Sequence, residues 1–178
     1  MNKISYLTYS GLLIALAGIC MYNSESVGVH IAKVLVPILF LSGGILTYLF
    51  STANKQHKLA NQYHGIQGVG VILFALLIGF GANDLGDFLK YVTYFMLFFG
   101  FIEILFGFMA LNSSQKLNIG ILIYRFISGF FTLIGGVLIL VTSITNEISG
   151  LSIAGVLVAL SGLAIIIFSY KVKNISRI

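Results

Sequence analysis

Six long apolar segments run along the chain, separated by short polar segments. They lie near residues 5 to 22, 31 to 50, 65 to 81, 88 to 111, 118 to 142 and 149 to 170. A helix needs roughly 20 apolar residues to cross the hydrocarbon core of a bilayer, and most of these segments approach or exceed that length. The third is the shortest and is rich in glycine, so we expect it to be tilted, kinked or extended into 61 to 64. The pattern predicts an all-α polytopic membrane protein with six transmembrane helices.

The composition agrees with a membrane protein and excludes an ordinary soluble one. Of the 178 residues, 58% are hydrophobic and 8% are charged, whereas about a quarter are charged in soluble proteins. The mean hydropathy is +1.05. The net charge of +5 does not indicate a nucleic-acid partner, because the basic residues lie beside the apolar segments and not in one cluster. The single Cys20 excludes an intramolecular disulfide and a multi-cysteine zinc site. The predicted partner is the lipid bilayer.

The distribution of basic residues predicts the orientation in the membrane. Most of them fall at the termini or in the even-numbered loops: Lys3, Lys55, Lys58, Lys116, Lys171, Lys173 and Arg177. Only Lys33 and Lys90 fall on the other side. The positive-inside rule therefore places both termini and the loops 51 to 64 and 112 to 117 in the cytoplasm. The predicted location is a bacterial inner membrane, crossed several times.

Small residues recur along the chain and divide the six segments into three hairpins. The first helix of each pair opens at a glycine and has a second small residue seven positions later, and its partner helix has a glycine 32 or 33 positions after the first. These residues are Gly11, Gly18 and Gly43, then Gly68, Ala75 and Gly100, and finally Gly129, Gly136 and Gly162. The repeat predicts one membrane domain, 1 to 178, with hairpins at about 5 to 50, 65 to 111 and 118 to 170.

Small residues on one helix face allow two helix backbones to approach closely in a membrane. Gly155 and Gly162 form such a face with Ala159, so we expect them at a helix contact as well. Each hairpin begins and ends in the cytoplasm, so the repeats share one orientation, which disfavours the inverted arrangement of many secondary transporters. The apolar run from Lys3 to Cys20 is similar to a secretory signal. Because it also forms the first member of the repeat, we interpret it as a retained helix.

Glu103 is the one acidic residue deep within a predicted span. A charge there costs on the order of 2.5 to 3.5 kcal/mol, so such residues normally have a partner or a function. Gly100 and Gly107 share the helix face of Glu103, which directs the carboxyl group toward the packed side of the helix. Arg125, about eight residues into the next span, lies at a similar depth. We therefore predict an ion pair between Glu103 and Arg125 where the fourth and fifth spans meet.

Two structural alternatives remain for these residues. The pair could simply fix the register of the two helices, or Arg125 could extend to the cytoplasmic interface. His64 stands at the repeat position of Arg125, four residues before its glycine, and a histidine at an interface could titrate near neutral pH. The alternative for His64 is a polar residue at the membrane interface.

The chain contains no Gly-x-Ser-x-Gly elbow, no His-Glu-x-x-His helix and no phosphate-binding glycine loop. These absences predict no catalytic residues, no metal site and no cofactor. The segments 100 to 107 and 125 to 129, together with the length and the three hairpins, resemble the HdeD family of small bacterial membrane proteins. The resemblance implies an inner-membrane protein associated with stress or acid resistance, and it transfers no catalytic residues.

Three functions follow as expectations. The first is a non-enzymatic inner-membrane protein of stress resistance or envelope homeostasis. The second is a small channel or carrier for protons or cations that uses Glu103, with Arg125 or His64 along its path. The third, least favoured, is a membrane-embedded enzyme that acts on lipid. A homo-oligomer is compatible with all three, and the sequence identifies no ligand.

Overall fold

The computed structural model describes residues 3–54, 58–112 and 119–175, and its secondary structure is helical. The helices are α1 (Lys3–Tyr22), the single turn α2 (Ser24–Val27), α3 (Val29–Ala53), α4 (Lys58–Leu76), α5 (Leu85–Leu111), α6 (Ile119–Thr145) and α7 (Glu147–Ile175). A π-helical turn, Leu77–Gly81, continues α4. The described residues contain no strand, which confirms the all-α prediction.

Six of these helices have the length and composition needed to cross a membrane. The apolar spans are Ile4–Tyr22, Val29–Ala53, Asn61–Gly81, Leu85–Leu111, Ile119–Ser143 and Glu147–Tyr170. The third predicted span begins earlier than residue 65, as the expected extension allowed. Its first turns hold polar residues, but Tyr63, His64 and Gln67 are buried against neighbouring helices and so belong to the bundle. The side chains that mark the predicted cytoplasmic side, Lys3, Lys55, Lys58, Lys116, Lys171, Lys173 and Arg177, lie outside the described part.

Short polar connections set the starts of two helices. The carboxylate of Asp84 accepts a hydrogen bond of 2.8 Å from the backbone N–H of Asp87, which caps α5. The amide oxygen of Asn146 accepts from the N–H groups of Ile148 and Ser149 and so begins α7 directly after α6. Because these connections are short, the spans that they join run antiparallel to each other.

The six spanning helices form a closed ring. The most extensive contacts are between α1 and α7, between α5 and α6, and between α3 and α4. Each of these contacts joins the second helix of one predicted hairpin to the first helix of the next, with α7 returning to α1. The contacts within the hairpins are smaller, the pair of α4 and α5 having the least. The tightest interfaces therefore lie between the predicted hairpins, and we call these three interfaces the seams.

Glycines bring the backbones together at all three seams. A Cβ atom added at Gly11 would lie 2.7 Å from the carbonyl oxygen of Gly162, and one added at Gly129 would lie 2.9 Å from that of Gly100. At the third seam, a Cβ atom at Gly68 would lie 3.0 Å from the carbonyl oxygen of Gly44. Such approach is available only to residues without a side chain, which is why small residues recur at this spacing.

Gly43, which the sequence spacing placed in the repeat, lies at a helix contact but not at a seam. Gly44 contacts α4 across the seam, whereas Gly43 faces α1, where an added Cβ would lie 3.3 Å from Ile14 Cγ1. Consecutive residues of a helix point about 100° apart, so they meet different neighbours. Spacing along the sequence could not distinguish two adjacent glycines.

The other predicted small residues also lie at helix contacts. Gly18 and Gly155 face each other between α1 and α7, and an added Cβ at Gly155 would lie 2.7 Å from Gly18 O. The corresponding neighbours are the ring of Phe126 for Gly107 and the side chain of Leu97 for Gly136, each approached to 2.9 Å. Ala75 is 3% exposed and part of the main core.

Candidate functional site

Glu103 and Arg125 meet in the interior at the seam between α5 and α6. Glu103 lies one turn after Gly100, and Arg125 lies one turn before Gly129, so the close contact of these two glycines sets the distance between the charged side chains. Arg125 Nη1 donates a hydrogen bond to Glu103 Oε1, and each side chain is 3% exposed. Arg125 therefore does not extend to the membrane interface, which was one alternative for it.

Tyr63 of α4 completes a three-helix hydrogen-bond network with this pair. Its hydroxyl group donates to Glu103 Oε1 over 2.5 Å and accepts from Arg125 Nη1 over 2.8 Å. A phenol can act as donor and acceptor at once, so one oxygen contacts both charged groups. We call Glu103, Arg125 and Tyr63 the polar triad. It links α4, α5 and α6.

Aromatic rings enclose the guanidinium group of Arg125. Its Cζ lies 3.6 Å from the ring centroid of Phe168 on α7, 4.7 Å from that of Tyr63 and 5.3 Å from that of Phe106. A cation over an aromatic face is attracted by the ring quadrupole, and more strongly where water is excluded. The charge of Arg125 is thus held by a carboxylate on one side and by rings on the others.

His64 belongs to the same interior region but not to the hydrogen-bond network of the triad. Its side chain is 2% exposed, and its Nδ1 lies 2.9 Å from Gln67 Oε1. The rings of Phe50 and Tyr63 pack against the imidazole with centroid distances of 4.8 and 4.7 Å. His64 is therefore buried within the bundle, because α3 and the neighbouring turn of α4 cover this face of the helix.

Several buried polar atoms at this site have no hydrogen-bond partner among the described residues. They are Glu103 Oε2, Arg125 Nε and Gln67 Nε2. Buried polar groups are nearly always paired, so three unpaired atoms in one region are a specific chemical feature. The site is balanced in charge, with one acid and one base, but it retains hydrogen-bonding capacity.

The predicted site residues were found by their charge, and the others were missed because they are aromatic or neutral. Tyr6, Tyr63 and Tyr124 all stand five residues before the opening glycine of their repeats. Phe50, Phe106 and Phe168 all stand six residues after the seam glycine. This second periodicity, once aligned on Gly44, would have indicated Tyr63 and the two phenylalanines beside Arg125.

The described residues include no group of three or more His, Cys, Asp or Glu side chains in a metal-binding arrangement. The polar groups that the structure brings together at the site are one ion pair, the phenol of Tyr63, the imidazole of His64 and the amide of Gln67. Comparisons with protein families, with curated protein sequences and with solved structures found no match to this chain.

Proposed function

We propose that this chain is a non-enzymatic integral membrane protein whose helix bundle is a scaffold in stress resistance or envelope homeostasis. The observation that supports a scaffold is that the side chains of the polar triad point into the packed interior. Glu103, Arg125 and Tyr63 contact one another and packed aromatic rings, with exposed fractions of 2 to 5%. Their hydrogen bonds join three helices, which is the arrangement expected of groups that fix helix register.

The biological role and the location are also part of the proposal. Stress or acid resistance comes from the resemblance to the HdeD family. A bacterial inner membrane with both termini in the cytoplasm comes from the basic residues at the termini and in the even-numbered loops. An even number of spans places both termini on one side, so a single reporter fused to either terminus tests the orientation.

One experiment separates a scaffold from a chemical role of the triad. Replacing a buried ion pair by apolar residues of similar volume is often neutral or stabilising, whereas removing one partner is strongly destabilising. We therefore expect the double variant Glu103→Leu, Arg125→Met to restore survival under acid challenge to a strain that lacks the gene. The variant must reach the membrane at the level of the unmodified protein. The matched single variant Glu103→Leu leaves Arg125 unpaired and is expected to accumulate poorly.

Two results would contradict the proposal in different ways. A double variant that is folded and abundant but does not restore survival would assign chemistry to the triad. A strain without the gene that survives acid and other envelope stresses normally would remove the stress role and leave the scaffold untouched.

A second function, conduction of protons, is favoured by one observation. Glu103 Oε2 and Gln67 Nε2 are buried without hydrogen-bond partners among the described residues, so the carboxylate oxygen is open to accept a proton and the amide to donate to a water molecule. For this function, proton flux in proteoliposomes should fall sharply in Glu103→Gln, which keeps the shape of the side chain. Flux that is absent in the unmodified protein, or unchanged in Glu103→Gln, removes this candidate.

A further inference from the structure

A groove opens on the outer surface between α3 and the end of α4, away from the polar triad. Its walls are formed by Lys33, Val34, Pro37 and Ile38 on α3 and by Gly79 and Phe80 on the π-helical turn. Its volume is about 260 Å³. All of these side chains except Lys33 are apolar, so the groove has one charged end.

Two backbone irregularities face each other in this groove. Pro37 lies inside α3 and has no N–H, so the carbonyl group of Lys33 lacks its usual helical partner. On the opposite wall the chain turns from α-helical to π-helical at Leu77. Turns of this kind are rare and occur frequently at functional sites. An added Cβ atom at Gly79 would lie 3.4 Å from Pro37 Cβ, so the two irregular segments are in contact.

The charge of Lys33 is not neutralised by an acid in the described part of the chain. Its ammonium group donates one hydrogen bond, of 2.9 Å, to the backbone carbonyl of Asn83. The carboxylate of Asp84, the next residue, accepts from the N–H of Asp87 and caps α5 instead. An ammonium group has three donors, so Lys33 retains donors for an anionic group.

The dimensions of the groove match one acyl chain. The lining residues of α3 extend from Lys33 to Leu41, which at about 1.5 Å per residue is roughly 12 Å. The hydrocarbon core of one leaflet is about 15 Å thick. Lys33 lies near the beginning of α3, where a lysine extends its ammonium group toward the headgroups. The apolar walls are open to the bilayer, with Val34 60% and Phe80 88% exposed.

We propose that this groove binds an anionic phospholipid, with one acyl chain between α3 and the π-helical turn and the phosphate group on the Lys33 ammonium group. Charge complementarity selects the headgroup, since the groove has a lone cation at its headgroup end. The apolar walls of the groove, with a length close to that of one leaflet, fit an acyl chain. A basic side chain near the membrane surface favours anionic lipids by about fivefold.

The absence of tryptophan from the sequence makes a direct measurement available. Ile38→Trp introduces a single tryptophan into the groove, which can be excited selectively beside the nine tyrosines, and brominated lipids quench its fluorescence on contact. We expect brominated phosphatidylglycerol to bind there about fivefold more tightly than brominated phosphatidylcholine. In Lys33→Gln, which keeps a polar side chain and removes the charge, the ratio of the two lipid affinities is expected to fall to near one.

One control matches the tryptophan at position 38, and a second matches the charge of Lys33. Val137 lies on the exposed face of α6, at a similar depth of roughly 12 Å from the same end of the bundle. In Val137→Trp, the ratio of the two lipid affinities should be near one. Lys90→Gln removes the other lysine at that end and should leave the ratio at Ile38→Trp unchanged. Equal quenching by the two lipids at Ile38→Trp, or a preference that persists in Lys33→Gln, would overturn the proposal.

Discussion

At the scale of single residues, the hydroxyl group of Tyr63 holds the polar triad together. It contacts Glu103 and Arg125 at the same time, and both are buried. Tyr63→Phe keeps the ring and removes only this oxygen. Because hydrogen bonds to buried charged groups are lost without replacement by water, we expect the free energy of unfolding to fall by about 1 to 3 kcal/mol. Unfolding followed by circular dichroism in detergent micelles measures this change.

The matched control is the same substitution at the same repeat position. Tyr6 stands five residues before Gly11, as Tyr63 stands five residues before Gly68. Tyr6 is half-buried and packs against the main core without the ion pair. Tyr6→Phe should therefore change stability by less than about 0.5 kcal/mol. Equal losses in the two variants would mean that the triad contributes no more than an ordinary tyrosine.

The ion pair was predictable from the sequence, whereas its surroundings were not. A charge within an apolar span normally has a partner, and counting residues from the span ends gave Glu103 and Arg125 a similar depth. Tyr63 and Phe168 carry no such requirement, since an aromatic residue is acceptable in the core, in lipid or at the interface. Which surface a neutral residue faces depends on the order of the helices around the ring, and hydropathy does not contain that information.

At the scale of helices, the seams depend on the absence of side chains at particular positions. In Gly11→Ala the added methyl group would lie 2.7 Å from a backbone oxygen of α7, so the two helices must separate. Overpacking of this kind costs about 1 to 3 kcal/mol. In Gly79→Ala the nearest atom is at 3.4 Å, and alanine favours a helix, so stability should be unchanged or slightly raised. Thermal unfolding of the two variants side by side tests this difference.

The adjacent glycines of α3 provide a finer test of the repeat register. A methyl group at Gly44 would lie 3.0 Å from the backbone N of Ile72 and 3.1 Å from Gly68 O, which cannot move independently of α4. At Gly43 the nearest atom, at 3.3 Å, belongs to the flexible side chain of Ile14. We expect Gly44→Ala to lose about 1 kcal/mol more than Gly43→Ala in the same unfolding measurement. The reverse order would support the register that the sequence spacing gave.

The number and positions of the helices could be predicted, but their irregularities could not. Apolar length identified all six spans because a bilayer requires that length. The start of α4 was obscured, since its polar residues are buried inside the bundle instead of facing water. The π-helical turn at Leu77–Gly81 has no sequence signal of its own, because the segment is apolar and glycine-containing like its neighbours.

At the scale of the whole molecule, the first and the last helices, α1 and α7, form the most extensive contact among the described residues. The sequence repeat predicted three hairpins, but hairpins could also stand in a row, with α1 and α7 far apart. Closure arises because each hairpin presents a glycine face on both of its helices, so the last free face meets the first. Gly18 and Gly155 repeat this contact about two helical turns further along the same seam.

A designed disulfide tests the closed ring in the membrane. The side-chain oxygens of Thr8 and Ser169 lie 2.8 Å apart, so these two side chains meet across the α1–α7 seam, and cysteines in their places would bring two sulfur atoms together. In a Cys20→Ser background, the pair Thr8→Cys, Ser169→Cys should form an intramolecular bond on oxidation. The bond would link residues near opposite ends of the chain, so the protein should migrate faster in a non-reducing gel.

The control for this disulfide moves one cysteine along the same helix. Ser152 lies 17 residues before Ser169 on α7, which is about 25 Å along the helix axis. A cysteine at position 152 therefore cannot reach a cysteine at position 8. Cross-linking in the first pair and not in the second requires α1 and α7 to pack in the register described. If oxidation of the first pair gave only cross-linked dimers, α1 would instead contact α7 of a second copy, because an open row of hairpins leaves both end faces uncovered.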